Sequence, residues 1–215
     1  MAAAGSWVEA GRTRHYALVP NDAKLVDAWF RLGFGAQHAH GIQELVRGAG
    51  GDLAPGLEVR RAGPDDVDDG AALEFVLPEH QEASPVFSPF TAPSEDQVRE
   101  EWRETLEDER MGVFLAWRDG RVVGGVALAP AEYSGAHAGV ARPDGAVILG
   151  WAATVAGARG SGIGRSLTDA ARTWAYDEGY RTIVVDWRET NLLASRFWPA
   201  RGFRRTFLRL YRSIP

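Results

Sequence analysis

Residues Ala146–Gly164 read AVILGWAATVAGARGSGIG. A β-branched and aromatic run (Val147, Ile148, Leu149, Trp151, Thr154, Val155) meets a breaker segment, Ala156 to Gly162, and then a pattern of helical period. The order is strand, glycine-rich loop, helix. At such a junction the first helical amides lack an intrahelical acceptor and point into the loop, where the positive end of the helix dipole favours an anion. Gly160, Gly162 and Gly164 leave out the side chains that would hold a diphosphate away, and Arg159 adds a fixed positive charge. The stretch reads as a phosphate cradle.

Three glycine-rich templates compete for it. A nucleoside-triphosphatase loop requires Gly-Lys-Ser/Thr at its end, and Gly162 is followed by Ile163. A dinucleotide fingerprint requires a third glycine where Arg165 stands, although Asp186 follows the next strand where a ribose-binding acid would be; an NAD-dependent enzyme stays open on that ground. The third template, Arg-x-x-Gly-x-Gly, is met by Arg159, Gly162 and Gly164.

With that loop the chain resembles the GNAT superfamily of acetyl-CoA-dependent N-acetyltransferases. Asn191, Ala194, Phe197-Trp198 and Gly202-Phe203 stand at the spacing of that family's second signature. The resemblance follows the order of elements from Leu57 to Arg212 and is carried by motifs from Ile148 to Phe203. It implies an α/β (α+β) fold with a mixed, splayed sheet flanked by helices on both faces. It implies acetyl-CoA as cofactor and donor, held by Arg159, Gly160, Ser161, Gly162, Ile163 and Gly164, with the pantetheine arm along Thr154 and Val155. Asn191 would orient the cofactor or a water, and it also fits a helix N-cap.

Proton transfer is where the chain departs from many members of the family. Trp198 stands where they place a tyrosine acid, and an indole N–H does not ionise usefully. The strand Ile148 to Val155 also lacks their glutamate. Asp186 and Glu132 remain as candidate bases and Tyr211 as candidate acid. Orientation of a neutral amine can itself supply several kcal/mol of the barrier. A domain that binds acyl-CoA without turnover is the competing reading.

Composition narrows the rest. The chain has 215 residues, 45% of them apolar, no cysteine and a net charge of −5. Cysteine nucleophiles, disulfides and thiolate metal sites are excluded. The five scattered histidines form no His-x-x-x-His pair, so no metal is expected. The acidic balance speaks against a nucleic-acid partner. No run approaches the ~18 apolar residues of a membrane span, and the start lacks a signal-peptide pattern; the cytoplasm is the expected location.

Along the chain, residues 1–50 form a partial unit. Tyr16–Val19 reads as a strand and Asp22–Arg31 as a helix ended by Gly33. Aligned with the C-terminal segment, Asp22 falls on Asn191, Trp29 on Trp198, Gly33 on Gly202 and Phe34 on Phe203. This is an internal repeat of a strand-helix-strand unit, the remnant of a second acetyltransferase-like unit. It is expected to extend the sheet, cover its edge, or dock on a second copy in a homodimer. Residues 51–56 are a linker, and 57–215 the main domain.

Within that domain Pro64 opens a helix through about Leu77, and Gln81–Pro93 reads as a loop. Ser94 and Gln97 form a capping box before a helix buried along Val98, Trp102 and Leu106. Its other face is acidic, from Glu95 to Glu109, and reads as a solvated surface or as an attractor for a cationic amine. Val113–Trp117 and Val122–Leu128 make a hairpin around Asp119-Gly120. Ala129–Gly145 is a long polar excursion of the kind that binds substrates. The acceptor class is an amine of a small molecule or a protein.

Overall fold

The computed structural model describes every residue except 1, 49, 50, 52, 136 and 138, so parts of the expected linker and of the 129–145 loop lie outside the described residues. In chain order the elements are α1 (Ala2–Glu9), β1 (Arg14–Pro20), α2 (Ala23–Phe30), β2 (Gly35–Glu44), β3 (Glu58–Arg61), α3 (Val67–Leu73), α4 (Val76–Glu82), α5 (Glu95–Glu107), β4 (Gly112–Arg118), β5 (Arg121–Pro130), β6 (Val147–Thr154), α6 (Ile163–Asp177), β7 (Thr182–Arg188), α7 (Leu192–Ala200) and β8 (Arg204–Ser213). They make a mixed α/β fold. Among the described residues no helix is long and apolar enough to cross a membrane. The contacts divide the chain into two compact units, Gln43–Val185 and the pair Met1–Ile42 with Asp186–Pro215.

In the larger unit the strand order is β7-β6-β5-β4-β3, antiparallel throughout except for the parallel pair β6 and β7. The period-2 alternation of β4 sorts two cores. Val113, Leu115 and Trp117 pack with Leu73, Val98 and Trp102 from α3 and α5. On the opposite face Phe114 meets Trp174 of α6 edge-on at 6.4 Å, and Gly112 leaves room for the same indole. Helices therefore cover both faces. Each buried side chain of this size contributes about 1.5–3 kcal/mol. The buried indoles are anchored by acids of α3 and its end: Trp117 donates to Asp69 at 2.8 Å and Trp102 to Glu74 at 2.9 Å.

The capping box at Ser94 and Gln97 forms as the sequence predicts, and so does the hairpin, whose Asp119 and Gly120 both take positive φ. The single helix expected from Pro64 to Leu77 does not form. A short 3-10 turn at Pro64–Asp66 precedes α3, which stops at Leu73, and α4 starts at Val76. Pro78 is the reason: in a continuous helix its ring would clash with the Glu74 carbonyl and it could not donate to it, whereas in the first turn of a new helix its missing N–H costs nothing. The α1 helix was not foreseen.

The smaller unit carries the repeat. Its strand order is β1-β8-β2, all antiparallel. Asp22 caps α2 by accepting from Lys24 and Leu25 N–H, and Asn191 caps α7 by accepting from Ala194 N–H. Trp29 meets Phe34 edge-on at 4.9 Å and 87°, and Trp198 meets Phe203 at 5.4 Å and 82°. Gly33 and Gly202 both take positive φ, near 79° and 90°, where glycine alone is unstrained.

The ladder between β2 and β8 respects the same equivalence. Exchanging the two segments maps Gly35↔Tyr211 onto Ile42↔Arg204, Ala36↔Leu210 onto Gly41↔Arg205, and His38↔Arg209 onto His40↔Phe207. Ala39↔Leu208 maps onto itself, and the ladder's two irregularities, at Gln37 and Thr206, exchange. The two strand-helix-strand segments are thus related by a local two-fold through Ala39 and Leu208. At Gly41 they approach closely, since a Cβ there would stand 2.7 Å from the Trp187 ring and 3.3 Å from Phe203.

Candidate active site

The loop between β6 and α6 is built to leave amides exposed. Val155 N–H is held by Val123 O at 3.0 Å, and a 3-10 turn over Ala156–Ala158 brings the chain round to Arg159. Gly160 and Gly162 follow at φ 78° and 88°. The first amide of this stretch to find an acceptor is that of Ser166, on Gly162 O at 3.0 Å. Among the described residues no protein group accepts from the amides of Gly160 to Arg165. Six consecutive donors lead into a 15-residue helix without a protein acceptor among the described residues, an arrangement whose charge favours an anion.

Two guanidinium groups flank it. Arg159 is exposed and its Nε donates to Thr154 O at 3.2 Å, which holds the side chain against the end of β6. Arg118, at the end of β4, donates from Nη1 to Ser161 Oγ at 3.2 Å, and Ser161 in turn donates to Ala158 O at 2.6 Å. The Nε of Arg118 is buried without an acceptor among the described residues, a costly state for a charged donor. The segment before β3 runs past the cradle: Ala54 N–H donates to Ser166 Oγ at 3.4 Å, and the Ala54 methyl lies near Gly162.

Upstream of the loop, β6 changes partners. Its parallel ladder with β7 covers Val147–Leu149 against Ile183–Val185 and stops. On the other side the register with β5 shifts at the same place, from Leu128↔Leu149 to Ala127↔Trp151. Gly150 is therefore a bulge residue with no register partner in either ladder. This is the splay that the resemblance implied, and it is set by a residue that the sequence reading did not single out. Beside it lies a cavity of ≈ 250 Å³ walled by Trp102, Trp151, Met111, Glu74 and Glu101 and reaching Gly150.

The candidate proton-transfer residues are placed unequally. Glu132 follows β5, whose last paired residue, Pro130, stands opposite Val147, at the other end of β6 from Thr154. It is exposed, so the structure does not bring it to the cradle. Asp186, Asn191 and Tyr211 belong to the smaller unit. Burial raises the Asp186 carboxyl above the usual range, against the pull of His40, Arg209 and Arg188. Tyr211 stacks at 5.0 Å on Tyr16, its register partner on β1. Asn191 is buried and caps α7. Trp198 is buried, edge-on to Phe197 and Phe203, a packing role rather than a proton donor's.

The acetyltransferase (GNAT) family profile matches residues 75–203, more than half of the chain. The chain belongs to the GNAT family. Among solved structures it is similar to the aminoglycoside N-acetyltransferase AAC(6')-Iy in complex with CoA, at 19% identity over 72% of this chain and 93% of that one, with a TM-score of 0.57. It is also similar to the aminoglycoside acetyltransferase meta-AAC0020 from an uncultured soil metagenomic sample, solved with sisomicin, at 18% identity over 70% and 90% and a TM-score of 0.52. A GCN5-related N-acetyltransferase from Kribbella flavida matches 99% of this chain and 73% of its own, at 16% identity and a TM-score of 0.56. These likenesses establish the GNAT fold. No curated protein sequence matches the chain.

Two features of this GNAT site escaped the sequence reading. Arg118 sits at a hairpin end more than forty positions from Ser161, and no local pattern links them. Gly150 was visible only as one glycine inside a strand, which in hindsight is the signal for a bulge.

Proposed function

We propose that this chain transfers an acetyl group from acetyl-CoA to an amine nitrogen of a small molecule or protein. The observation that carries the reading is the run of acceptor-free amides from Gly160 to Arg165 beside the orphaned Nε of Arg118. Donors in that state fit a diphosphate. Bound there, acetyl-CoA would supply the activated acyl group; the protein's part is to hold, orient and handle protons.

In this reading Gly160–Gly164 with Arg118 and Arg159 hold the diphosphate, and Thr154 and Val155 line the arm. The unpaired backbone around Gly150 receives the thioester. In the reaction the amine nitrogen bonds to the acyl carbon and the carbon–sulfur bond breaks. The amine gives up a proton and the departing sulfur gains one. Asp186, in β7, is the base of this reading, and its raised pKa suits that role. Tyr211, whose ring lies against Tyr16, is the acid of this reading. The segment through β1, α2 and β2 is a remnant of a second GNAT-like unit, a reading supported by the two-fold register of β2 with β8. Since both strands complete ladders on β8 of the same chain, that unit needs no second copy to be held.

Thiol release from acetyl-CoA over a panel of amines tests the reading. CoA-dependent amide formation is expected. Tight binding of CoA with no acylated product from any amine would replace it with the acyl-CoA-binding alternative.

A further inference from the structure

The cavity beside Gly150 has a composition that a simple amine pocket does not require. Its walls include two carboxylates, Glu74 and Glu101, two indoles, Trp102 and Trp151, and the flexible Met111; among the described residues no arginine or lysine lines it. The indoles are edge-on at 5.3 Å. Glu74 uses one oxygen, Oε2, on the Trp102 N–H, which fixes the carboxylate against the ring and leaves Oε1 available to another donor. Trp151 is in the register position next to the bulge, and its Nε1 is buried without an acceptor among the described residues.

A carboxylate pair framed by aromatic rings attracts a cation, through charge and through the ring quadrupole. The amine that attacks a thioester, however, has to be neutral, because a protonated nitrogen has no lone pair. A site that binds the cationic form of the nucleophile would therefore oppose the reaction it serves. The two demands are reconciled if the acceptor carries two nitrogens, one kept charged between the carboxylates and one delivered neutral to Gly150. Met111 and the indole faces then cover the carbon chain between them.

We propose that this cavity selects a compact acceptor with a second, non-reacting ammonium group, seated by Glu101 and Glu74 against Trp102 and Trp151. This rests on the acetyltransferase reading and adds the substrate class to it. Atoms balance as for any acetyl transfer, with one nitrogen acylated, one proton released from it, one thiol formed, and the second ammonium unchanged.

The test compares 1,4-diaminobutane with butylamine as acceptors for the full chain and for Glu101→Gln and Glu74→Gln. The diamine should be preferred by ten-fold or more in kcat/KM, chiefly through KM, and each substitution should shrink that ratio towards one. Glu101 is exposed, so its replacement is compatible with folding. A parallel titration follows tryptophan fluorescence as 1,4-diaminobutane is added to the CoA-bound protein, with saturation expected for the parent and a weakened response for Glu101→Gln. Equal use of the two amines, or a diamine preference untouched by both substitutions, would overturn the proposal. If no amine is acetylated while CoA binds, the catalytic reading fails; the fluorescence titration then decides the cavity by itself, supporting it if saturable and Glu101-dependent and overturning it if not.

Discussion

Leu149 stands opposite Val185 in the parallel ladder, and it is the last residue of β6 to do so. One position on, Gly150 has no register partner on β5 or β7. A Cβ built on Gly150 meets nothing within 4 Å, and its φ is not in the left-handed region. Gly150→Leu is therefore expected to leave the midpoint of urea unfolding within about 0.5 kcal/mol of the parent while reducing acetyl transfer by at least ten-fold. A variant that is equally stable and equally active would show that the bulge has no part in the reaction.

Arg118 should matter more than its distance in sequence suggests. Its orphaned Nε and its bond to Ser161 point to an anion at the cradle, and loss of a charged hydrogen-bond partner is on the order of 1.5–3 kcal/mol. Arg118→Met should weaken CoA binding by roughly ten-fold or more in calorimetry. Arg159→Ala, at an exposed position screened by solvent, should cost about 1 kcal/mol. The reverse ranking would place the phosphates on the Arg159 side of the loop.

The role proposed for Asp186 as base predicts a pH dependence of the reaction. Burial raises its carboxyl above the ordinary aspartate range, so the ionised form needed for a base appears only as pH climbs through that raised value. The rate with a saturating amine should rise with pH accordingly, and Asp186→Asn should lower kcat and remove that limb. An unaltered profile in the variant would assign the limb to the amine itself.

Buried histidines should make the fold sensitive to acid. Burial lowers His137, which is fully buried, to about 4, against a bond to the Val185 backbone that raises it. His38 falls to about 4 through burial, then Arg188, Arg209 and His40. With a folded pKa below the ordinary 6.5, the neutral ring is favoured in the native state. Stability is then complete above about 6.5 and declines as pH falls towards 4, by roughly 3 kcal/mol for each ring. Urea midpoints measured from pH 7.5 to 4.5 should show the decline, and His137→Gln should flatten it. An identical slope in the variant would contradict the role given to His137.

The legible parts of this molecule were those written in local pattern. Glycine spacing after an apolar run announces the strand, loop and helix of the β6–α6 junction, Ser94 with Gln97 announces a helix start, and the correspondence of Asp22, Trp29, Gly33 and Phe34 with Asn191, Trp198, Gly202 and Phe203 announces matching caps, ring contacts and glycine turns. What stayed hidden depends on partners. Period-2 alternation tells which face a strand buries, not which strand lies beside it, so the insertion of β8 between β1 and β2 could not be read. The Gly150 bulge exists only relative to β5, and Arg118 reaches Ser161 only once β4 is in place. The broken helix was different: Pro78 is in plain view, four residues after Glu74, and it sets the division between α3 and α4.

The most direct test of the proposed phosphate cradle is a titration of ¹⁵N-labelled protein with CoA, following the backbone amides of Gly160, Gly162 and Gly164. Hydrogen bonds to a diphosphate should move these three downfield together and saturate with the calorimetric affinity. CoA binding that leaves all three unmoved would contradict the account at its base.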